Sequence, residues 1–133
     1  AIKIEFGDRY SQASTYHQLG RVAQELREYA EARQNYQQAL AIKIEFGDRY
    51  SQASTYGQLG LLAEAENNLT EAGQNLLQAL EIFAQFQDWH NVGMALSNLS
   101  RIYQTTQDAS LLESISQVLG ISVDQARQQL ESS

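Results

Sequence analysis

The chain has two histidines, His17 and His90, far apart in sequence and without a His-Glu-x-x-His or comparable ligand spacing around either. A metal shared between them is not expected. Neither imidazole has a serine and an aspartate disposed as a nucleophile and an orienting acid would be. Cysteine is absent, which removes thiolate chemistry, Cys-based zinc binding and any disulfide framework. No glycine-rich loop follows a strand to cradle a phosphate. Glu64 and Glu66 stand two apart and cannot face each other across a helix, while Glu25, Glu28 and Glu31 read as a solvated turn. The expectation is a protein with no catalytic residues, no metal and no cofactor. Asn68-Leu69-Thr70 and Asn98-Leu99-Ser100 match the N-glycosylation pattern, but without a secretion signal they read as chance matches.

The elements that would position any other chemistry are helical. The 133 residues include 18 Gln, 16 Ala and 16 Leu but no proline, a composition built from good helix formers. One domain of this length can bury a real core. Nine Lys and Arg face sixteen Asp and Glu, a formal charge of −7, which argues against nucleic-acid binding because phosphate contacts need clustered cations. No apolar run approaches the roughly 20 residues of a membrane span, and the first residues lack a signal-peptide pattern. A cytoplasmic protein without nucleic-acid or membrane partners is expected.

An internal repeat organises these helices. Residues 1–16 recur unchanged at 41–56, a period of 40, and residues 1–40 and 41–80 share 27 identities. A diverged third copy at 81–104 stays in register and keeps Ile82, Phe86, Asp88 and Leu99. A period in this range marks a stacked-repeat protein. Within each unit, apolar and small residues at three- and four-residue spacings define two helices: Tyr16, Leu19, Gly20 and Ala23 on the first, and Ala32, Tyr36, Ala39, Leu40, Ile42 and Phe46 on the second. Gly7-Asp8, Gly47-Asp48 and Gln87-Asp88 read as hinges, a left-handed C-terminal cap followed by an aspartate accepting from the next helix's free N–H groups. Helices are predicted at 9–26, 29–46, 49–66, 70–86, 89–105 and 109–119. The units are a partial repeat at 1–8, repeats at 9–48, 49–88 and 89–120, and a cap helix at 121–133.

Tyr16-x-x-Leu19-Gly20, Tyr29-x-x-Ala32, Tyr36 and Ala39, echoed by Leu59-Gly60, Ala72, Leu76 and Ala79, resemble the tetratricopeptide-repeat signature of large and small positions on a helix pair. The 40-residue period resembles the longer variant of Pins-type and bacterial signalling-protein arrays. Two departures are local: the proline that usually ends the second helix is absent, with Ile4 and Ile44 in its place, and Ser100 stands where copies one and two carry glycine. The resemblance implies an all-α, right-handed α-solenoid of antiparallel helix pairs, with a C-terminal capping helix. It also implies that the first helix of each pair lines a concave side that binds a protein or peptide.

Residues off the packing stripe of those first helices are the expected partner contacts: Tyr10, Ser14, His17 and Arg21 in copy one, Tyr50, Ser54 and Leu61 in copy two, and His90, Met94, Ser97 and Arg101 in copy three. Gln18, Gln58 and Asn98 lie beside them as amides able to bond a peptide backbone. Arg21 and Arg101 are expected to meet carboxylates of a partner. The Asn and Lys pattern of chaperone-tail clamps is not reproduced. Trp89 is expected to fold back over the preceding hinge rather than to anchor a partner.

Leu111-Leu112-x-x-Ile115-x-x-Val118-Leu119-Gly120, followed by the capping box Ser122-x-x-Gln125, also has helix-turn-helix spacing. Four acids against one base from Asp108 onward favour a cap over a nucleic-acid reader. Ile2, Ile4 and Phe6 match the end of a second helix without its first helix, so a fragment of a longer array that self-associates through this end is a further expectation. The leading expectation is an interaction scaffold, in its narrower form the sensor or regulatory region of a larger bacterial signalling protein. The alternative is a self-associating structural spacer.

Overall fold

The computed structural model describes residues 6–131. Among the described residues seven α-helices follow one another: α1 (Phe6–Glu25), α2 (Tyr29–Glu45), α3 (Arg49–Ala65), α4 (Leu69–Gln85), α5 (Trp89–Thr106), α6 (Ala109–Leu119) and α7 (Val123–Glu131). They form an all-α, right-handed solenoid in which α1 packs on α2, α2 on α3, α3 on α4 and α4 on α5. Among the described residues no helix is long and apolar enough to cross a membrane.

The turns recur every 20 residues, half the sequence period. Arg27, Gly47, Asn67, Gln87 and Gln107 each adopt a positive φ between 54° and 64°. In the turn after α2, the N–H of Gly47 donates to Ile44 and that of Asp48 to Lys43, closing the helix by satisfying its last carbonyls. Asp48, Asn68, Asp88 and Asp108 then accept from backbone N–H groups at the start of the next helix, as N-caps should. One of these five left-handed positions is glycine and one asparagine, residues that adopt this conformation readily, whereas Arg27, Gln87 and Gln107 hold it at some cost.

Small residues set the helix approach. A Cβ on Gly20 would sit 2.7 Å from the Tyr36 ring, and one on Gly60 would sit 2.7 Å from Leu76. Ala32, Ala39, Ala72 and Ala79 are buried beside them. One core cluster joins Ala23, Ala32, Tyr36, Leu59 and Leu62; a larger one runs from Ala63 through Leu76, Leu80, Leu99 and Ile115 to Leu130. Each fully buried leucine contributes about 2 kcal/mol by removal from water.

At the C-terminal end α6 packs on α4 and α7, while α7 lies along α5. Gly120 takes φ 67° to end α6. The capping box then opens α7, with Ser122 Oγ accepting from Gln125 N at 3.0 Å and Gln125 Oε1 from Ser122 N at 2.9 Å. Ala126 and Leu130 are fully buried, so α7 covers the apolar face of the last repeat. Ser100 is explained here: its hydroxyl donates to the Leu130 carbonyl, joining α5 to the cap where copies one and two need glycine against a second helix.

Two expectations are corrected. The hinge expected at Gly7-Asp8 is not formed: α1 begins at Phe6 and runs through both residues. The same string does form a turn at Gly47-Asp48, where Asp48 is held by Tyr10 from the previous unit and Lys43 reaches across to α3. Leu19, expected on the packing stripe, is 48% exposed, whereas its equivalent Leu59 is buried against α2. The outer face of α1 carries no such helix among the described residues. The apolar end expected at Ile2, Ile4 and Phe6 lies outside the described side chains.

Candidate functional site

The first helices bring most of the expected contacts into two adjoining clefts. The first, about 270 Å³, is lined by Tyr10, Ser14, His17 and Gln18 of α1, Lys43 of α2, and Ser51 and Ser54 of α3. The second, about 170 Å³, is lined by Ser54, Gly57, Gln58 and Leu61 of α3, Leu76, Ala79 and Phe83 of α4, and Asn91, Met94 and Asn98 of α5. Ser54 lines both. Arg21, Tyr50, His90, Ser97 and Arg101 line neither.

The tyrosines have internal partners. Tyr10 donates its phenol to Asp48, and Tyr50 donates to Asp88. Tyr10 stands edge-on to Phe46 at 5.5 Å, while Tyr50 stands edge-on to Phe83 at 5.9 Å and to Phe86 at 5.4 Å. Each ring therefore packs on the hinge that precedes the next repeat. The bond to Asp88 raises the pKa of Tyr50 above the ordinary phenol value, and the same bond, with those from Asn91, lowers Asp88.

Arg101 is also occupied. It grips Glu64 of α3 with two parallel bonds, Nη2 to Oε1 at 2.9 Å and Nε to Oε2 at 3.1 Å, so the carboxylate expected from a partner comes from within the chain. Arg33 bridges Glu66 and Glu71 and Arg9 pairs with Glu45, so most cross-repeat cations serve the stack. Arg21 is exposed, with no ion pair among the described residues.

The residue that sequence reasoning missed is Lys43. It sits in the last turn of α2, 8% exposed, and its Nζ donates to the Thr55 hydroxyl at 2.8 Å and the Ser51 carbonyl at 3.1 Å. Burial lowers its pKa, against the opposing pull of the Asp48 charge. A signal was available: the otherwise aliphatic Ile42–Ile44 stretch is broken by a lysine whose counterpart 40 residues on is Phe83. His17 shares the cleft, its ring edge-on to Tyr36 at 5.4 Å and its buried Nδ1 without a hydrogen-bond partner. Burial, followed by the charges of Lys43 and Arg21, lowers its pKa below the ordinary imidazole value.

Trp89 does not fold back over the hinge. It is 61% exposed and lines a separate groove with Arg49, Glu81, Val118 and Leu119. Among the described residues no group of three or more His, Asp or Glu side chains is placed to hold a metal ion.

Comparison with protein families matches residues 12–48 and again residues 53–86 to tetratricopeptide repeats. None of the curated proteins compared with the chain matches it. Proteins of this repeat class serve in general as protein–protein interaction scaffolds and are typically not enzymes. Helix pairs closed by glycine and alanine contacts, stacked at a 40-residue period and matched twice by the same repeat, place this chain in the tetratricopeptide-repeat family.

Proposed function

We propose that the chain is a non-catalytic scaffold that binds a peptide or protein partner along its concave face, across the two clefts that meet at Ser54. The observation that carries this reading is their continuity: Ser14, His17 and Gln18 line one, Gln58, Leu61, Met94 and Asn98 the other, and Ser54 is the wall between them. Amides and hydroxyls along such a strip can bond an extended backbone while the pockets take side chains. The narrower reading, a sensor or regulatory region of a larger cytoplasmic bacterial signalling protein, rests on the likeness of its 40-residue units to arrays of that kind.

The test is capture by the intact parent protein, followed by Ser54→Arg, which puts a long charged side chain into both clefts. A partner retained by the wild type and lost by this variant, with helicity unchanged, is the expected result. Equal capture by both would remove the concave-face assignment.

A specific observation also supports self-association. Leu19 and Val22 of α1, with Leu26 in the turn that follows it, form an exposed apolar row, at 48, 53 and 63%. Their counterparts Leu59 and Leu62 are buried against α2. Light scattering tests this directly: a monomer at every accessible concentration would eliminate it.

A further inference from the structure

The two clefts descend from near-identical repeats, yet the residues that differ change their chemistry in one direction. His17 becomes Gly57, Arg21 becomes Leu61 and Lys43 becomes Phe83 at the 40-residue spacing. Arg21 stands outside both clefts, so Lys43 is the cation of the first, while Leu61, Phe83 and Met94 give the second an apolar lining.

Lys43 lines the first cleft. It is more than nine-tenths buried, and both acceptors it reaches, the Ser51 carbonyl and the Thr55 hydroxyl, are uncharged. Among the described residues no carboxylate forms an ion pair with it. Asp48 is near enough to act on its charge, but that carboxylate is engaged by the Tyr10 phenol and the Ser51 N–H. An ammonium has three donors, and two are accounted for. A buried cation of this kind is completed by a negative partner, since burial without one is costly. The unpartnered His17 Nδ1 is a second unsatisfied group at the same cleft, and Arg21 adds an exposed cation one helical turn along α1.

We propose that the cleft over Lys43 receives the side-chain carboxylate of an extended acidic peptide, and that an apolar residue of the same peptide enters the adjoining cleft beside Phe83 and Met94. Neighbouring helices of a stack lie about 10 Å apart, and an extended chain advances about 3.3 Å per residue, so the two side chains stand roughly three residues apart. The net charge of −7 gives no long-range attraction for such a ligand. Selectivity for the carboxylate therefore has to come from contact with Lys43. This inference rests on the concave-face reading and assigns that face its ligand chemistry.

The probe is a capped peptide, acetyl-Glu-Ser-Ser-Leu-amide, with versions carrying Gln for Glu and Ser for Leu, titrated into the isotopically labelled chain. The Glu peptide is expected to shift the resonances of Ser14, His17 and Ser54 and the Met94 methyl. The Gln version should bind about tenfold more weakly, the loss of one charge-assisted contact. Exchange of Leu for Ser should remove the Met94 shift. Lys43→Met and Lys43→Gln should each make the Glu and Gln peptides bind alike, with circular dichroism confirming the fold. The comparison of peptides on the wild-type chain requires no variant. Equal binding of Glu and Gln peptides at the concave face would overturn the carboxylate assignment while leaving that face as a binding surface. No concave-face shift from any peptide at millimolar concentration would overturn it as well, and the Ser54→Arg capture experiment then decides independently whether the face binds a partner.

Discussion

Tyr50 of one repeat donates its phenol to Asp88, the residue that caps the first helix of the next. Tyr10 and Asp48 repeat this relationship one unit earlier, across the same 38 residues. Asp88 thereby does two jobs: one oxygen accepts from the Asn91 N–H to start α5, and the other accepts from Tyr50. Hinge and stack are joined at one carboxylate.

Tyr50→Phe should keep the ring on Phe83 and Phe86 but release Asp88, giving a small loss of thermal stability and a flatter pH profile. Asp88 has a folded pKa below its ordinary carboxylate value, so its contribution is present above that value and is lost as pH falls through the lowered one. Tyr50 has a raised pKa, so its contribution is present below the ordinary phenol value and is lost as pH rises through the raised one. Melting temperatures across both ranges should vary more for the wild type than for Tyr50→Phe. Identical profiles would mean that the bond contributes nothing in solution.

His17 should make the chain sensitive to mild acid. Its folded pKa is lowered, first by burial and then by Lys43 and Arg21, so the unfolded chain binds the extra proton more readily. Stability from this group is complete above about pH 6.5 and falls as pH drops below it. His17→Asn should remove that slope between about pH 5 and 7. Denaturant midpoints of the wild type and His17→Asn across that range measure the difference.

Two glycines of α3 should respond in opposite directions. Gly60→Ala would place a Cβ 2.7 Å from Leu76 and 3.3 Å from the Ala72 carbonyl, an overpacking that costs about 1–3 kcal/mol. At Gly57 a Cβ meets nothing within 4 Å, so Gly57→Ala should gain up to about 1 kcal/mol of helix propensity. Chemical denaturation of the two variants measures both signs at once.

Left-handed turns offer a fourth test. Gln87→Gly should stabilise the chain by about 1 kcal/mol, because Gln87 holds φ 56° with a side chain that disfavours it. Asn67→Gly should gain less, since asparagine tolerates this conformation better than most residues. A loss on both would indicate that these side chains make contacts worth more than the strain they carry.

Helix placement was legible because it depends on local chemistry. For α2 to α6, the predicted limits agree with the observed ones to within one residue, since caps, small residues and three- and four-residue spacings act over a single turn. The close approaches at Gly20 and Gly60 were legible for the same reason: a missing side chain at a repeated position leaves room for a neighbour. The site was only partly legible. Spacing put fourteen residues on one face; the clefts gather Tyr10, Ser14, His17, Gln18, Ser54, Gln58, Leu61, Met94 and Asn98, but not Arg21, Tyr50, His90, Ser97 or Arg101.

Sequence by itself determined the repeat, its period, the helix pairs and the family, all of which follow from patterns within one unit and their recurrence. Tertiary structure decided what each polar side chain meets. Tyr50 turns to Asp88, Arg101 to Glu64 and Ser100 to Leu130, partners 38, 37 and 30 residues away that no helical period brings together. The 16-residue string shared by residues 1–16 and 41–56 is the plainest case: Gly7-Asp8 lies within a helix and Gly47-Asp48 makes a turn. The latter has Tyr10 from the neighbouring repeat to hold its aspartate. Lys43 became a site residue only when stacking buried its ammonium beside His17 at the edge of a cleft, because burial and the supply of partners belong to the packed stack and not to the helix that carries the lysine.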